Sequence, residues 1–194
     1  MTIALMVDLE TLSSQVDAVI VSIGAVVFDT EQEDTVEKLA WHGLNRRVQI
    51  KLAQQPNRHI DPETVVWWVN QSQGARDEAF SDKAQYPLRD VLGELSMLYS
   101  NSGCVEVWSH GSSFDLPILQ HAYEQLGMKA AWKYRGWRDT RTLLSLVPEE
   151  LHDSLWPANP GKHQPLLDAA TQAVMVQRAL RWVMHTRPQE MDGT

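Results

Sequence analysis

The first thirty residues hold two apolar runs that both need burial, and together they restrict the fold more than any other feature. Ile3 to Val7 is a short apolar run and Val19 to Phe28 is rich in β-branched residues, and both suit a pleated, buried strand. The second run is ten residues long and contains Ser22 and Gly24, so it is too short to span a bilayer. Asp29 to Asp34 is a polar turn, and Ala40 to Gln49 reads as a third strand. Three strands joined by short links make an antiparallel meander.

The pattern then changes. Asp61-Pro62-Glu63 reads as a helix start leading into Val65, Val66, Trp67, Trp68 and Val69. Residues 70–86 are polar and read as loop. Leu88 to Leu98 has apolar residues at helical spacing, and Val105 to Trp108 is a short strand. Asp115 can cap the next helix, whose stripe of Leu116, Leu119, Ala122, Tyr123 and Leu126 stops at Gly127. Arg138 to Val147 starts another strand-to-helix unit. Residues 148–162 form a loop with three prolines, and Pro165 opens a long last helix through Met184. Strands first, then alternating strands and helices, predict an α/β fold with a mixed sheet and helices packed on it. With 194 residues, no internal repeat and no dividing linker, residues 1–194 are expected to form one domain, with a core over about 3–184 and a tail over about 186–194.

Charge excludes one class of function and leaves another open. Lys plus Arg is 17 against 25 Asp plus Glu, a formal net charge of -8, which argues against coating nucleic acid by bulk charge. The asymmetry is local. Residues 1–97 carry 8 basic and 15 acidic side chains, whereas residues 98–194 carry 9 and 10. Lys129, Lys133, Arg135, Arg138 and Arg141 lie close together with Trp132, Tyr134 and Trp137 among them. Cations interleaved with aromatics suit a single strand of nucleic acid, and equally describe a solvated loop with its rings turned inward. The lone cysteine, Cys104, excludes an intramolecular disulfide and reads as a small buried hydrophobe in a reducing compartment. The apolar start reaches Asp8 too soon for a signal peptide and lacks a basic leader. No membrane contact and a cytoplasmic setting are expected.

The chemistry lies in spaced carboxylates. Asp8 and Glu10 are two apart at the end of an apolar strand, so both point to one face. Two carboxylates on one face repel unless a cation, a proton or a cationic side chain lies between them. An acidic turn after a strand is also common with no metal. Asp115 follows the buried strand at Val105 to Trp108 and opens a helix, which is also what an ordinary N-cap does. His163 lies in a loop, and Asp168 follows in the first turn of a helix, a place the helix dipole favours for any carboxylate.

Order and context together resemble the DnaQ-like 3′–5′ exonuclease superfamily in its histidine-bearing form, DEDDh. The carrying residues are Asp8-Leu9-Glu10-Thr11, Phe114-Asp115, and His163 with Asp168; Gln164 stands where the tyrosine-bearing form has its tyrosine. Pro62-Glu63-Thr64-Val65-Val66-Trp67-Trp68, Phe114 to Leu119, and Arg138-Asp139-Thr140-Arg141-Thr142-Leu143 are similar to phage DexA-type exonucleases and the related mycobacterial exoribonucleases. His110 departs from an expected asparagine and Pro165 from an expected alanine. The resemblance implies a ribonuclease H-like fold with a five-stranded mixed sheet. It implies that Asp8, Glu10, Asp115 and Asp168 hold two Mg²⁺ or Mn²⁺ ions around the scissile phosphate. His163 is then the general base toward the attacking water and must be neutral, so activity rises as its imidazole loses a proton. The substrate is the 3′ end of single-stranded DNA or RNA, with DNA slightly favoured, and the product a nucleoside 5′-monophosphate. Thr11, Leu12, Phe114, Trp68, Arg138 and Arg141 are the expected substrate contacts. Leu12 is a candidate wedge against the terminal base, and Asp139 is expected to pair structurally with Arg138 or Arg141. Trp67 and Trp68 cannot share one helix face, so at most one is core and the other is left to touch a base or a partner subunit. The resemblance also admits a homodimer.

Overall fold

The computed structural model describes residues 1–50, 54–80, 84–111, 113–159 and 161–186. The expected tail over 186–194 lies almost wholly outside the described residues. The elements in chain order are β1 (Ile3–Thr11), β2 (Ile20–Asp29), α1 (Val36–Trp41), β3 (Leu44–Val48), α2 (Pro62–Val69), α3 (Gln73–Phe80), β4 (Gln85–Tyr86) and α4 (Leu88–Asn101). They continue with β5 (Glu106–Ser109), α5 (Asp115–Gln125), β6 (Trp137–Asp139), α6 (Thr140–Leu144), α7 (His152–Leu155) and α8 (Pro165–Thr186).

The sheet order is β4-β3-β2-β1-β5-β6. Strands β1, β2 and β3 pair antiparallel, as expected, while β5 joins β1 and β6 joins β5 in parallel. The sheet has six strands rather than five because Gln85–Tyr86 adds a two-residue parallel pairing on β3. Two further expectations fail for local reasons. Ala40 and Trp41 end helix α1 instead of starting the third strand: the Thr35 side chain accepts from the Lys38 amide, and Val36 and Leu39 bury on one side. Residues 70–86 include helix α3, with the Ser72 hydroxyl accepting from the Ala75 amide and Ala75 and Ala79 buried one turn apart. The expected 148–162 loop likewise contains the single turn α7.

The period of two along β1 sorts the interior into two layers. Leu5, Val7 and Leu9 face α4 and α5 with Leu92, Leu95, Leu116 and Leu119. Ala4 and Met6 face α8 with Val26, Ala173 and Val174. Asp8 and Glu10 continue this second face toward the start of α8. A smaller cluster of Leu12, Val19, Val21, Trp68, Ala75 and Ala79 closes the end of β1 beneath α2 and α3. Trp68 is 2% exposed and its indole Nε1 donates to the Thr11 carbonyl at 2.9 Å. Trp68→Ala is therefore expected to cost about 3–5 kcal/mol in urea unfolding. Trp67→Ala, at a residue 42% exposed, should leave the midpoint nearly unchanged.

Candidate active site

Three elements deliver the carboxylates. Strand β1 outlasts its parallel partner: the β1–β5 register ends at Met6–Trp108. The unpaired amide of Leu9 beyond that point donates to Asp115 Oδ1 at 3.1 Å. Asp115 is the first residue of α5, so its carboxylate reaches across to β1 instead of capping its own helix. Phe114 occupies the cap position and makes no side-chain cap bond. The expected N-cap role of Asp115 is thereby corrected.

Helix α8 brings Asp168. Pro165 starts it, since a ring-locked φ and a missing N–H suit a first turn. Asp168 Oδ2 accepts from the Gln164 amide at 3.0 Å, and Asp168 Oδ1 accepts from Asn159 Nδ2 at 2.5 Å. The Oδ1 of Asn159 accepts in turn from the Gly161 amide, so Asn159 fastens the histidine loop to Asp168. His163 has a positive φ of 60°, an uncommon conformation outside glycine. Its Nδ1 lies 3.9 Å from Glu10 Oε1, and the Trp67 ring meets it edge-on at 4.9 Å.

Asp8, Glu10 and Asp168 offer oxygens that all lie within 4.8 Å of one another. They line a cleft of about 610 Å³ with His163, Trp156, Asn159, Lys162 and Gln172. Burial raises every one of these acids. Asp8 is pushed well above the ordinary carboxylate range, first by burial and then by Asp115, Glu10 and Asp168. Burial, with Asp168 and Asp115, pushes Glu10 to about 8. Burial pushes Asp115 to about 7, against the opposing pull of the Leu9 amide and Arg141. Asp168 is raised by burial despite Asn159 and His163. Asp8, Glu10 and Asp168, converging in a cleft and resisting joint ionisation, fit hard divalent cations, while Asp115 stands behind them with its Oδ1 on the Leu9 amide.

The expected substrate residues separate into three groups. Thr11 and Phe114 line a slot of about 250 Å³ beside Glu10, together with Thr64 and Trp67. Leu12 and Trp68 are buried in the small cluster beneath it and present no face to a base; the exposed ring at the slot belongs to Trp67. Arg141 stays near the carboxylates, its guanidinium lying over Gly111. Arg138 instead pairs with Glu106 at 2.6 Å and lines a different cleft. Asp139 accepts from the Arg141 backbone amide at 2.8 Å as the cap of α6. His110, the departure from the family pattern, bonds through Nδ1 with Thr140 Oγ1 at 2.6 Å and packs edge-on against Trp156.

Sequence reasoning missed Gln172, whose Nε2 donates to Asp8 Oδ1 at 2.8 Å. The available signal was its place four residues after Asp168, on the same helix face. Asn159 was missed because a proline-rich loop carries no periodicity.

Comparison with known proteins gives the family and the fold. Residues 3–180 match the family described as the Rv2179c-like 3′–5′ exoribonuclease domain. An exodeoxyribonuclease of Enterobacteria phage T4 is 23% identical over 92% of this chain and 89% of its own length. Among solved structures, the RNase domain of the yeast Pop2 protein aligns with a TM-score of 0.66 at 12% identity, over 95% of this chain and 79% of that one. E. coli exonuclease I in complex with a dA16 oligonucleotide aligns with a TM-score of 0.60 at 14% identity, over 95% of this chain and 43% of that one. The chain thus spans less than half the length of that exonuclease I, and these two likenesses speak to the fold. The match over residues 3–180 decides the family: the chain belongs to the Rv2179c-like 3′–5′ exoribonuclease domains, within the DnaQ-like 3′–5′ exonucleases of ribonuclease H-like fold.

Proposed function

We propose that this chain hydrolyses single-stranded nucleic acid from its 3′ end, releasing nucleoside 5′-monophosphates, with Mg²⁺ or Mn²⁺ held by Asp8, Glu10, Asp115 and Asp168. The observation that carries the reading is the convergence of Asp8, Glu10 and Asp168 within 4.8 Å beside His163. Divalent ions bound there supply charge neutralisation at the scissile phosphate and an acidified water. The chain does the rest. Gln172 and the Leu9 amide orient Asp8 and Asp115, and Asn159 keeps the histidine loop against Asp168. His163 removes a proton from the attacking water, on a loop held by Trp67 at one side and Asp168 at the other. The slot between Phe114 and Trp67 receives the terminal nucleotide.

DNA is the favoured substrate, as for the phage exodeoxyribonuclease that aligns over nearly the whole chain. RNA is the second reading, favoured by the description of the matched family. Among the described residues, no helix is long and apolar enough to cross a membrane.

A 3′-labelled single strand with Mg²⁺ should release labelled mononucleotide, EDTA should stop it, and a circular strand should stay intact. Cleavage of circles would replace the exonuclease by an endonuclease. DNA and RNA oligonucleotides of one sequence, at equal enzyme and metal, decide the sugar. His163→Ala is expected to lower kcat by about 10²–10⁴-fold; a variant as fast as wild type would remove the histidine from its role.

A further inference from the structure

The basic and aromatic stretch at 129–137 lies away from the carboxylates and lines its own cleft. The cleft has a volume of about 750 Å³ at the far end of α5, with Glu124, Lys129, Trp132, Tyr134 and Trp137 in its walls. Tyr134 is 72% exposed. Lys129 and Lys133 are exposed and have no ion pair among the described residues, and the Arg135 guanidinium lies over the Tyr134 ring instead of against a carboxylate. Trp132 is 5% exposed, yet its indole Nε1 finds no acceptor, and neither does that of Trp137. Both nitrogens lie beneath the surface, with Trp132 edge-on against Tyr99 and Tyr123, so these rings floor the cleft and its exposed lysines and Tyr134 are the groups that face a ligand. The cations favour a polyanion, and the exposed ring favours one that carries flat π-faces.

Continuity links this cleft to the carboxylates. Trp137 lines both it and the next cleft along β6, which also contains Arg138 and Asp139. Asp139 leads into α6, whose Arg141 lies over Gly111 and acts on Asp115. Helix α5 separates the two sites: it runs 11 residues from Asp115 to Gln125. That is about 16 Å at the helical rise, or roughly five stacked nucleotides at 3.4 Å each.

We propose that this cleft is a second binding site for single-stranded nucleic acid, holding the upstream part of a strand whose 3′ end occupies the carboxylate cleft. The inference rests on the exonuclease reading for the strand's polarity. The site itself is tested by binding.

The test uses 5′-fluorescein-labelled dT15 and dT3, with anisotropy measured in an Asp8→Asn background so that hydrolysis does not intrude. Adding Lys129→Ala, Lys133→Ala and Tyr134→Ala together should weaken dT15 by about tenfold or more and leave dT3 unchanged. The three side chains are exposed, so an unchanged thermal midpoint is expected and is checked alongside. The slope of log affinity against log salt should fall by about 0.7 for each lysine removed. Equal weakening of both lengths, or none for dT15, overturns the proposal. Competition by poly-glutamate as effective as unlabelled dT15 would overturn it in favour of an acidic protein partner. Length-dependent binding without Mg²⁺-dependent cleavage by the chain carrying Asp8 would leave the second site standing and remove the exonuclease reading.

Discussion

Asp8→Asn is expected to lower hydrolysis by roughly 10³-fold or more while making the metal-free protein more stable at pH 8. The loss follows from removing one ligand of ions that supply several kcal/mol of transition-state stabilisation, each 1.36 kcal/mol being a factor of ten. The gain follows from the shifted acids. Glu10 moves from an ordinary value of 4.5 to about 8, and Asp115 from 3.8 to about 7, and Asp8 is also raised, by burial first and then by Asp115, Glu10 and Asp168. The folded, metal-free protein therefore holds protons that the unfolded chain gives up above about pH 4. Where the unfolded state binds fewer protons, stability falls as pH rises. Metal-free wild type should lose stability steadily from about pH 4.5 to about pH 8 as Asp115 and Glu10 ionise in the folded state. Asn keeps an oxygen to accept from Gln172 but removes one charge from the cluster, so the decline should be shallower. At pH 5, where Glu10 and Asp115 are largely protonated, the two proteins should differ least. Each kcal/mol moves Tm by roughly 2–4 °C in a chain of this size, so calorimetry in EDTA across this pH range resolves the effect. Mg²⁺ should restore wild type at pH 8 and release protons as it binds, and should do less for the variant. An Asp8→Asn protein melting below wild type in EDTA at pH 8 would falsify the electrostatic account.

The same physics explains how much of the site was legible in advance. Asp8 and Glu10 were readable because strand periodicity is strict, and the face they share was already marked by Ala4 and Met6. Asp168 was readable as a first-turn acid, and the order of the motifs brought His163 with it. Trp67 and Trp68 were not separable, because α2 presents Val65, Val66, Trp67, Trp68 and Val69 in succession. A five-residue apolar run has no stripe, and only the packing of α2 against Leu12 and α3 decides which ring is inside. Helices α1 and α3 were missed for a related reason. Each rests on one capping hydroxyl and two buried small or medium side chains, a local signal weaker than the strand pattern or the polarity around it. Asp115 was placed correctly in the chain and wrongly in its bonding, because its partner is the Leu9 amide 106 residues away. Long-range satisfaction of a strand's loose amide leaves no trace in local sequence.

Gly24 is expected to tolerate no side chain, and replacing it should damage both the fold and catalysis. It pairs with Asp8 across β1 and β2, on the sheet face that receives the start of α8. A Cβ at this position would lie 2.1 Å from the Pro165 carbonyl carbon and 2.3 Å from the Leu166 amide nitrogen. Both are backbone atoms, so relief requires the helix to lift away from the sheet, and Asp168 lifts with it. Gly24→Ala should therefore cost about 1–3 kcal/mol as overpacking, read from urea unfolding. A displacement of even 1 Å at a reacting centre is enough to cost about 10²-fold in rate. Gly43→Ala supplies the contrast. Its obstacles are Leu166 Cδ1 at 2.3 Å, the end of a side chain that can rotate, and the Ala25 carbonyl oxygen at 2.9 Å, which belongs to β2 and not to the backbone of α8, so its penalty in kcat should be much smaller. Equal loss of activity in the two variants would mean that α8 docks through its side chains at large. A selective loss at Gly24 would locate the geometry of the metal cluster in one backbone-to-backbone contact between β2 and the first turn of α8.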